Sequence, residues 1–335
     1  MPTYRCTAAC KHCGTLSSPK EDTWLPVDDM LRAIDEAASA GYGLVVFTGG
    51  EPTLAGEHLL LGIRRAASHG VVVRMVTNGW WAESVEAAGE AMRTWVEAGL
   101  NELNVSTGDQ HHRFVPVESV VRAIQAGVEH DLTVAVMIEV VDGRDISRDT
   151  VESHPLYEAM LDRRPEARVS FHESPWMPLS PTRTYEYPNG QAANRQNLAS
   201  RTGCDSILTT TTVQADGRIA ACCGLGMRNI PELQLGMIGS TSITEADERA
   251  ADDFLKRWIQ IEGPEKILAW AAELDASIEW EDMYAHRCQA CIRIYKDPKV
   301  RKVITEQHLN KLADVCFQEW MMFHFDAARG AAEPE

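Results

Sequence analysis

The 335-residue sequence predicts an α/β fold: a partial (β/α)6 barrel of the TIM-like kind, followed by a small domain of one β-hairpin plus helices. Three observations carry that prediction. Short, continuous apolar runs recur between stretches of helical periodicity, as in strands covered on both faces. The alternation begins with a strand, which implies right-handed crossovers and a parallel sheet. It stops near residue 171 after six strands, short of the eight of a closed barrel.

A strand stub at Thr3–Arg5 opens the pattern. Val27–Ala40 places apolar residues at helical spacing, with Asp28 or Asp29 as a cap, and stops at Gly41. Leu44–Phe47 (LVVF) is a buried strand. Leu59–Ser68 reads as helix, Val71–Thr77 as strand, Glu83–Ala98 as helix and Leu103–Ser106 as strand. Val117–His130 follows as helix, Leu132–Val141 as strand, Thr150–Asp162 as helix and Ala167–Phe171 as strand. Beyond Phe171 the pattern breaks. Ser174–Asn197 is rich in Pro, Asn, Thr and Arg, the composition of a linker or of a loop over a site. Ile207–Val213 and Arg218–Cys222, joined through Ala215-Asp216-Gly217, read as a β-hairpin. Helices follow at Glu245–Gln260, Pro264–Leu274 and Pro298–Phe325. The expected organisation is a barrel over 1–175, a linker over 176–200, the smaller domain over 201–326 and a tail over 327–335.

Composition removes several functions. The net charge is −17, which argues against a nucleic-acid partner, since that needs clustered Lys and Arg. No apolar run approaches the roughly 20 residues of a membrane span. The start MPTYRCTAAC lacks the apolar stretch of a signal peptide, so a cytoplasmic protein is expected. In a reducing compartment nine cysteines are not expected to form a disulfide framework.

Their spacing is tight. Cys6, Cys10 and Cys13 form CxxxCxxC directly after the first stub. Three thiolates on one short loop can wrap a single [4Fe–4S] cubane, which four thiolates would close. Three leave one iron open for a ligand. A zinc site short of its fourth ligand, or three unrelated core cysteines, are the alternatives at this point. Thr48-Gly49-Gly50-Glu51-Pro52 follows the LVVF strand, with glycines that let backbone approach a ligand and a carboxylate suited to an amino group.

CxxxCxxC together with GGEP, at the ends of consecutive strands, resembles the radical S-adenosylmethionine (radical SAM) superfamily over roughly residues 3–175. The resemblance implies that Cys6, Cys10 and Cys13 hold a [4Fe–4S] cluster and that SAM occupies its fourth iron. Gly49, Gly50, Glu51 and Pro52 would then bind the methionyl amine, and an electron from the cluster would cleave SAM to methionine and a 5′-deoxyadenosyl radical. The cofactor does the hard chemistry and the protein aims the radical. Asn78 and Ser106, at the ends of the next strands, stand where the family places polar groups near SAM, or are turn residues satisfying their own backbone. Asp109, His111 and His112 follow on the same rim, and Glu139 is a carboxylate inside a strand.

A second cysteine set lies downstream. Cys204 is followed by twelve residues, Gly217, four residues and Cys222, and Cys288 and Cys291 form CxxC. Two separated pairs can close a complete cluster, with four-thiolate zinc as the alternative. The spacing resembles the SPASM/twitch domains of radical SAM enzymes, in the shorter twitch form with one auxiliary [4Fe–4S] cluster. Cys316 lies in an apolar helix and reads as packing. Cys223 adjoins Cys222 and should face the other way, unless it is the ligand in place of Cys222.

The stretches CTAACKHCGTLSSP, VVFTGGE, TNGWWA, STGDQHHRFV, DGRIAACC and CQAC resemble the radical SAM/twitch enzymes that epimerise residues of ribosomally made peptides. That resemblance implies abstraction of a Cα hydrogen and return of a hydrogen atom by Cys223 from the opposite face. Asp205 is the nearest counterpart of the group's acidic residue, in a stretch longer than the group's own. An external one-electron reductant of flavodoxin or ferredoxin type is implied. With no peptide-recognition domain ahead of the first cluster, a separate recognition protein or direct docking would present a peptide. Oxidation or epimerisation of an aminoglycoside-type sugar, peptide cross-linking, and a zinc- or cluster-stabilised binding protein are the competing readings.

Overall fold

The computed structural model describes residues 1–11, 13–188 and 190–330, without the side chains of residues 323 and 325–330. Five apolar runs form one parallel sheet in the order β1 (Leu44–Phe47), β2 (Val72–Thr77), β3 (Glu102–Thr107), β4 (Thr133–Val140) and β5 (Val169–Pro175). α1 (Val27–Ser39) precedes β1, and between the strands run α2 (Glu57–Ser68), α3 (Val85–Ala98), the short α4 (Asp109–His112), α5 (Val117–Glu129), α6 (Arg148–Glu152) and α7 (Pro155–Arg163). The expected partial barrel is present, with five strands in its sheet instead of six. The sixth element, Thr3–Arg5, makes only single bridges, Thr3 to Trp24 and Arg5 to Ser18. It attaches to the end of β1 through Gly50 N–H to Thr3 O (2.9 Å) and Glu51 N–H to Arg5 O (2.8 Å).

The strands alternate in burial, which decides what each face can do. Val73 and Met75 of β2, Leu103 and Val105 of β3, and Val134, Val136 and Ile138 of β4 join one apolar cluster with residues of α1, α2, α3, α5 and α7. The residues between them, Val76, Asn104, Ser106 and Met137, are half-buried on the opposite face. Register places Val76 beside Asn104, Ser106 beside Met137, and Met137 beside His172. The helices cover one face and leave a mixed polar and apolar surface on the other.

Two compact units emerge. The first takes Met1–Trp176, Thr212–Ala220 and Gly236–Ala246. The second takes Met177–Thr211, Ala221–Leu235 and the chain from Asp247. The hairpin is shorter than expected, β6 (Thr212–Val213) and β7 (Arg218–Ala220), and gains a third strand, β8 (Gln234–Met237), which has too few apolar residues to signal itself. The helices are α8 (Ile243–Ala251), α9 (Phe254–Ile261), α10 (Pro264–Leu274), α11 (Arg287–Lys296), α12 (Pro298–Gln307) and α13 (Leu309–Gly330).

Three expected helices are each split in two, for local reasons. Thr150–Asp162 breaks before Pro155, because a residue preceding proline avoids the helical region. Glu245–Gln260 breaks at Asp253, whose carboxylate caps α9 through the N–H groups of Leu255 and Lys256. Pro298–Phe325 breaks at His308. The expected tail is helical as far as Gly330, and its remainder lies outside the described residues. No helix among the described residues is long and apolar enough to cross a membrane.

Candidate functional site

Cys6, Cys10 and Cys13 are free, half-buried thiols on the loop between the N-terminal stub and α1. The loop is pinned at both ends of the triad: Cys6 N–H bonds Ser18 O, and Leu16 N–H bonds Cys13 O. Leu16 holds φ of +55°, a costly conformation for a bulky residue, of the kind found at functional sites. N–H groups approach the sulfurs. Ala8 N–H lies 3.4 Å and Asn78 Nδ2 3.7 Å from Cys6 Sγ, and Ser17 N–H lies 3.5 Å from Cys13 Sγ. Cys10 Sγ is 3.6 Å from Gln110 O, which ties the loop to α4, just after β3. Burial pushes the Cys6 thiol up to about 11, with the Glu51 and Cys13 charges adding to it. Burial pushes Cys10 up to about 12, reinforced by Cys13, Glu139 and Cys6. Such thiols stay protonated near neutrality until a metal centre displaces their protons.

Glu51 occupies a place the sequence does not suggest. Its carboxylate is fully buried and takes four protein donors. Oε1 accepts from Thr53 N–H (3.2 Å), Thr53 Oγ1 (2.7 Å) and Thr77 Oγ1 (2.8 Å), and Oε2 accepts from Asn78 N–H (2.9 Å). The indoles of TNGWWA brace the same hydroxyls, Trp80 Nε1 on Thr53 and Trp81 Nε1 on Thr77, each at 3.0 Å. Burial raises the carboxyl and these hydrogen bonds oppose it. Glu51 therefore fastens the end of β1 to the end of β2, and Asn78 reaches from there to Thr7 Oγ1 (3.0 Å) and Cys6. The adjacent Gly50 has no room for a side chain: a Cβ there would stand 2.0 Å from Arg5 O.

Two more carboxylates fasten the rim. Glu139 accepts from Gln110 N–H and pairs with His111 Nδ1 (3.2 Å). Asp109 accepts from Ile146 N–H (2.9 Å) and Asp145 N–H (3.2 Å). Loops that follow different strands are thus held by charge-assisted bonds around the cysteine loop. Ser106 is half-buried on the open face of β3, and His112 is exposed. Sequence reading selected these residues one by one and missed the bracing, because each bond joins segments dozens of residues apart.

The family model of the radical SAM superfamily matches residues 1–154. This segment is similar to radical SAM domains. Similar curated proteins are the GTP 3′,8-cyclases of Actinobacillus succinogenes, 35% identical over 106 residues, and of Mannheimia succiniciproducens, 25% identical over 159 residues. The first alignment covers 30% of this chain and 30% of the relative, the second 43% and 45%. The chain thus spans less than half the length of the curated relatives it matches. Among solved structures, BtrN in complex with AdoMet and 2-DOIA aligns with a TM-score of 0.45 at 12% identity, over 79% of this chain and 87% of that one.

The triad of this segment fits a [4Fe–4S] group by its donor set: three unbridged thiols with N–H groups already directed at two of the sulfurs. Among the described residues no three His, Cys, Asp or Glu side chains close around a single metal ion. A cubane does not require that, because each thiolate takes a different iron.

The second unit gathers the other four expected ligands. Cys288 and Cys291 lie one turn apart on α11, and His286 caps that helix by accepting Cys288 N–H at Nδ1 (3.1 Å). Cys222 is buried, and Gly224 N–H lies 3.4 Å from its sulfur. A Cβ on Gly224 would stand 3.4 Å from both the Cys222 and Cys288 sulfurs. Burial pushes Cys222 up to about 12, with Cys223 and Cys204 contributing. Cys291 is raised by burial and then by Cys222, Cys288 and Cys204. Cys204 is half-buried, with its N–H on Ile259 O (3.0 Å). Gly203 before it would put a Cβ 1.8 Å from Gln260 O. Four thiols thus form a nest whose donor set suits a second [4Fe–4S] cluster.

Cys223 is exposed, and its charge still acts on Cys222 and Cys288. Asp205 has a side chain 96% exposed and only a loose pair with Arg287 at 3.7 Å. Cys316 is half-buried, with Arg257 Nη2 3.8 Å from its sulfur.

Proposed function

We propose that this chain reductively cleaves S-adenosylmethionine and uses the radical to convert an L-residue of a ribosomally made peptide to its D-form, with Cys223 as the hydrogen-atom donor. The observation that carries the reading is an exposed thiol directly following a cysteine buried in a four-thiol nest. A [4Fe–4S] cluster on Cys6, Cys10 and Cys13 supplies the electron for SAM cleavage when bound. Ala8, Ser17 and Asn78 offer N–H groups that stabilise their thiolates, and Glu51 holds the strand ends to which Gly49, Gly50 and Pro52 belong. Ser106 and Asn78 supply polar groups on the rim for the rest of SAM. Cys204, Cys222, Cys288 and Cys291 hold the auxiliary cluster.

The chemistry balances with Cys223 as donor. Its S–H gives a hydrogen atom to the Cα radical, and the thiyl left behind takes one electron from a flavodoxin- or ferredoxin-type reductant and a proton from solvent. Asp205, standing in solvent, can relay that proton. A separate recognition protein would deliver the peptide. The net charge of −17 favours a second reading, oxidation of a polycationic amino sugar, in which Cys223 is dispensable.

Turnover in D2O separates the two. Epimerisation predicts one deuterium in the wild-type product and no epimer from Cys223→Ala, with 5′-deoxyadenosine still formed. Unchanged product from the variant refutes the donor role.

A further inference from the structure

The helix that carries the CxxC pair holds one more group at the second nest. Cys288, Cys291 and Tyr295 occupy positions i, i+3 and i+7 of α11, a single stripe of the helix. Tyr295 is buried, and its hydroxyl has no hydrogen-bond partner among the described residues. A buried phenol finds a partner in the large majority of structures. Burial raises its O–H well above the ordinary range, and Cys291 is the strongest charge acting on it, ahead of Asp253, Cys222 and Glu232. From α10, Glu265 is also buried, and its Oε2 has no partner among the described residues. Cys291 feels the Glu265 charge as well. Two residues with orphaned polar atoms, from two helices, thus interact electrostatically with the same thiol. The Tyr295 hydroxyl asks for an acceptor that the described side chains do not provide.

We propose that Tyr295 completes its hydrogen bond on a sulfur of the cluster held by this nest and thereby sets that cluster's reduction potential. The inference rests on the reading that Cys204, Cys222, Cys288 and Cys291 hold a [4Fe–4S] cluster. A donor directed at a cluster sulfur favours the more negative, reduced state and raises the potential. Tyr295 reaches no substrate in this role. It is a positioning residue that makes the auxiliary cluster easier to reduce.

The test uses the full chain with Cys6, Cys10 and Cys13 all changed to Ala, so that only the second nest can load. After anaerobic reconstitution with iron and sulfide, metal content is measured and the cluster is titrated by electron paramagnetic resonance. Tyr295→Phe removes one oxygen and keeps the ring. The expected result is about four irons per chain in parent and variant. The ratio of reduced to oxidised cluster at the parent's midpoint should fall roughly tenfold, which is 59 mV for one electron. Proton resonance on the reduced parent should also show an exchangeable coupling that the variant loses. An unchanged midpoint at full iron content overturns the proposal and leaves the cluster reading intact. A parent that binds zinc, or no iron, overturns the cluster reading and the proposal with it. A lower melting temperature at an unchanged midpoint would mean that Tyr295 only packs.

Discussion

In the first unit three thiols share one irregular loop, all half-buried, and the loop is held by bonds from the ends of several strands. In the second unit two thiols come from one turn of α11, and Cys222 and Cys204 are brought to them from two other segments. The first arrangement offers three ligands and keeps one side accessible. The second offers four, of which Cys222, off the helix, is buried and the others are half-buried. A centre that must bind a co-substrate needs the first arrangement, and a centre that only passes electrons or braces a fold is served by the second. The two loops nonetheless share devices. Each has a glycine pressed against a carbonyl oxygen next to its first cysteine, Gly50 on Arg5 and Gly203 on Gln260. Each also has a leucine at positive φ, Leu16 at +55° and Leu208 at +64°.

The contrast can be broken most severely at the ligands. Cys6→Ala should abolish 5′-deoxyadenosine formation, whereas Cys288→Ala should keep measurable formation while losing about four irons per chain. Equal loss of cleavage in both variants would end the division of labour. The next largest effects are expected at the glycines. Gly50→Ala and Gly203→Ala force a Cβ against backbone that cannot yield cheaply, at a cost of about 3 kcal/mol each. Gly50→Ala should lower iron at the first site alone and Gly203→Ala at the second alone, read by the signals of the two clusters. Iron loss spread evenly over both sites would show that the loops are not separately anchored.

Glu51→Ala sharpens the first half of the comparison. It strands two hydroxyls and two N–H groups that now end on a carboxylate, a loss of about 2–4 kcal/mol in denaturant unfolding. Because burial raises this carboxyl, its contribution to stability is fullest at low pH and falls as pH rises through the raised value. The smallest effect belongs to Asp35, which has no part in either site. Hydrogen bonds from Arg65 and then His69 hold it near 2, against an ordinary 3.8. Its contribution is present above pH 3.8 and is lost as pH falls through about 2. Asp35→Asn should cost about 0.5 kcal/mol at pH 7, and wild type and variant should unfold alike below pH 2.

Much of this was legible one segment at a time. LVVF announces a strand by its continuous apolar run, and β2, β3 and β4 announce theirs by alternation, because one face of each packs on the helices. CxxxCxxC, GGEP and CxxC are legible because their chemistry needs residues a few positions apart. The split helices were not legible, since their periodicity continues through Asp253 and His308 and only capping and packing stop it. α11 was missed because it buries polar residues, Gln289 and Arg293, and so lacks an apolar stripe.

By itself the sequence determined the alternating architecture, the two cysteine sets and the presence of two thiols, Cys223 and Cys316, beyond those sets. Tertiary structure decided which groups stand together. It buried Cys222 and left Cys223 exposed. It made Glu51 a buried strut with four donors, and left Tyr295 with an unspent hydroxyl beside Cys291. The physical reason is range. Propensity and motif spacing act over a few residues, whereas desolvation and hydrogen-bond partnership depend on neighbours that only the folded chain supplies.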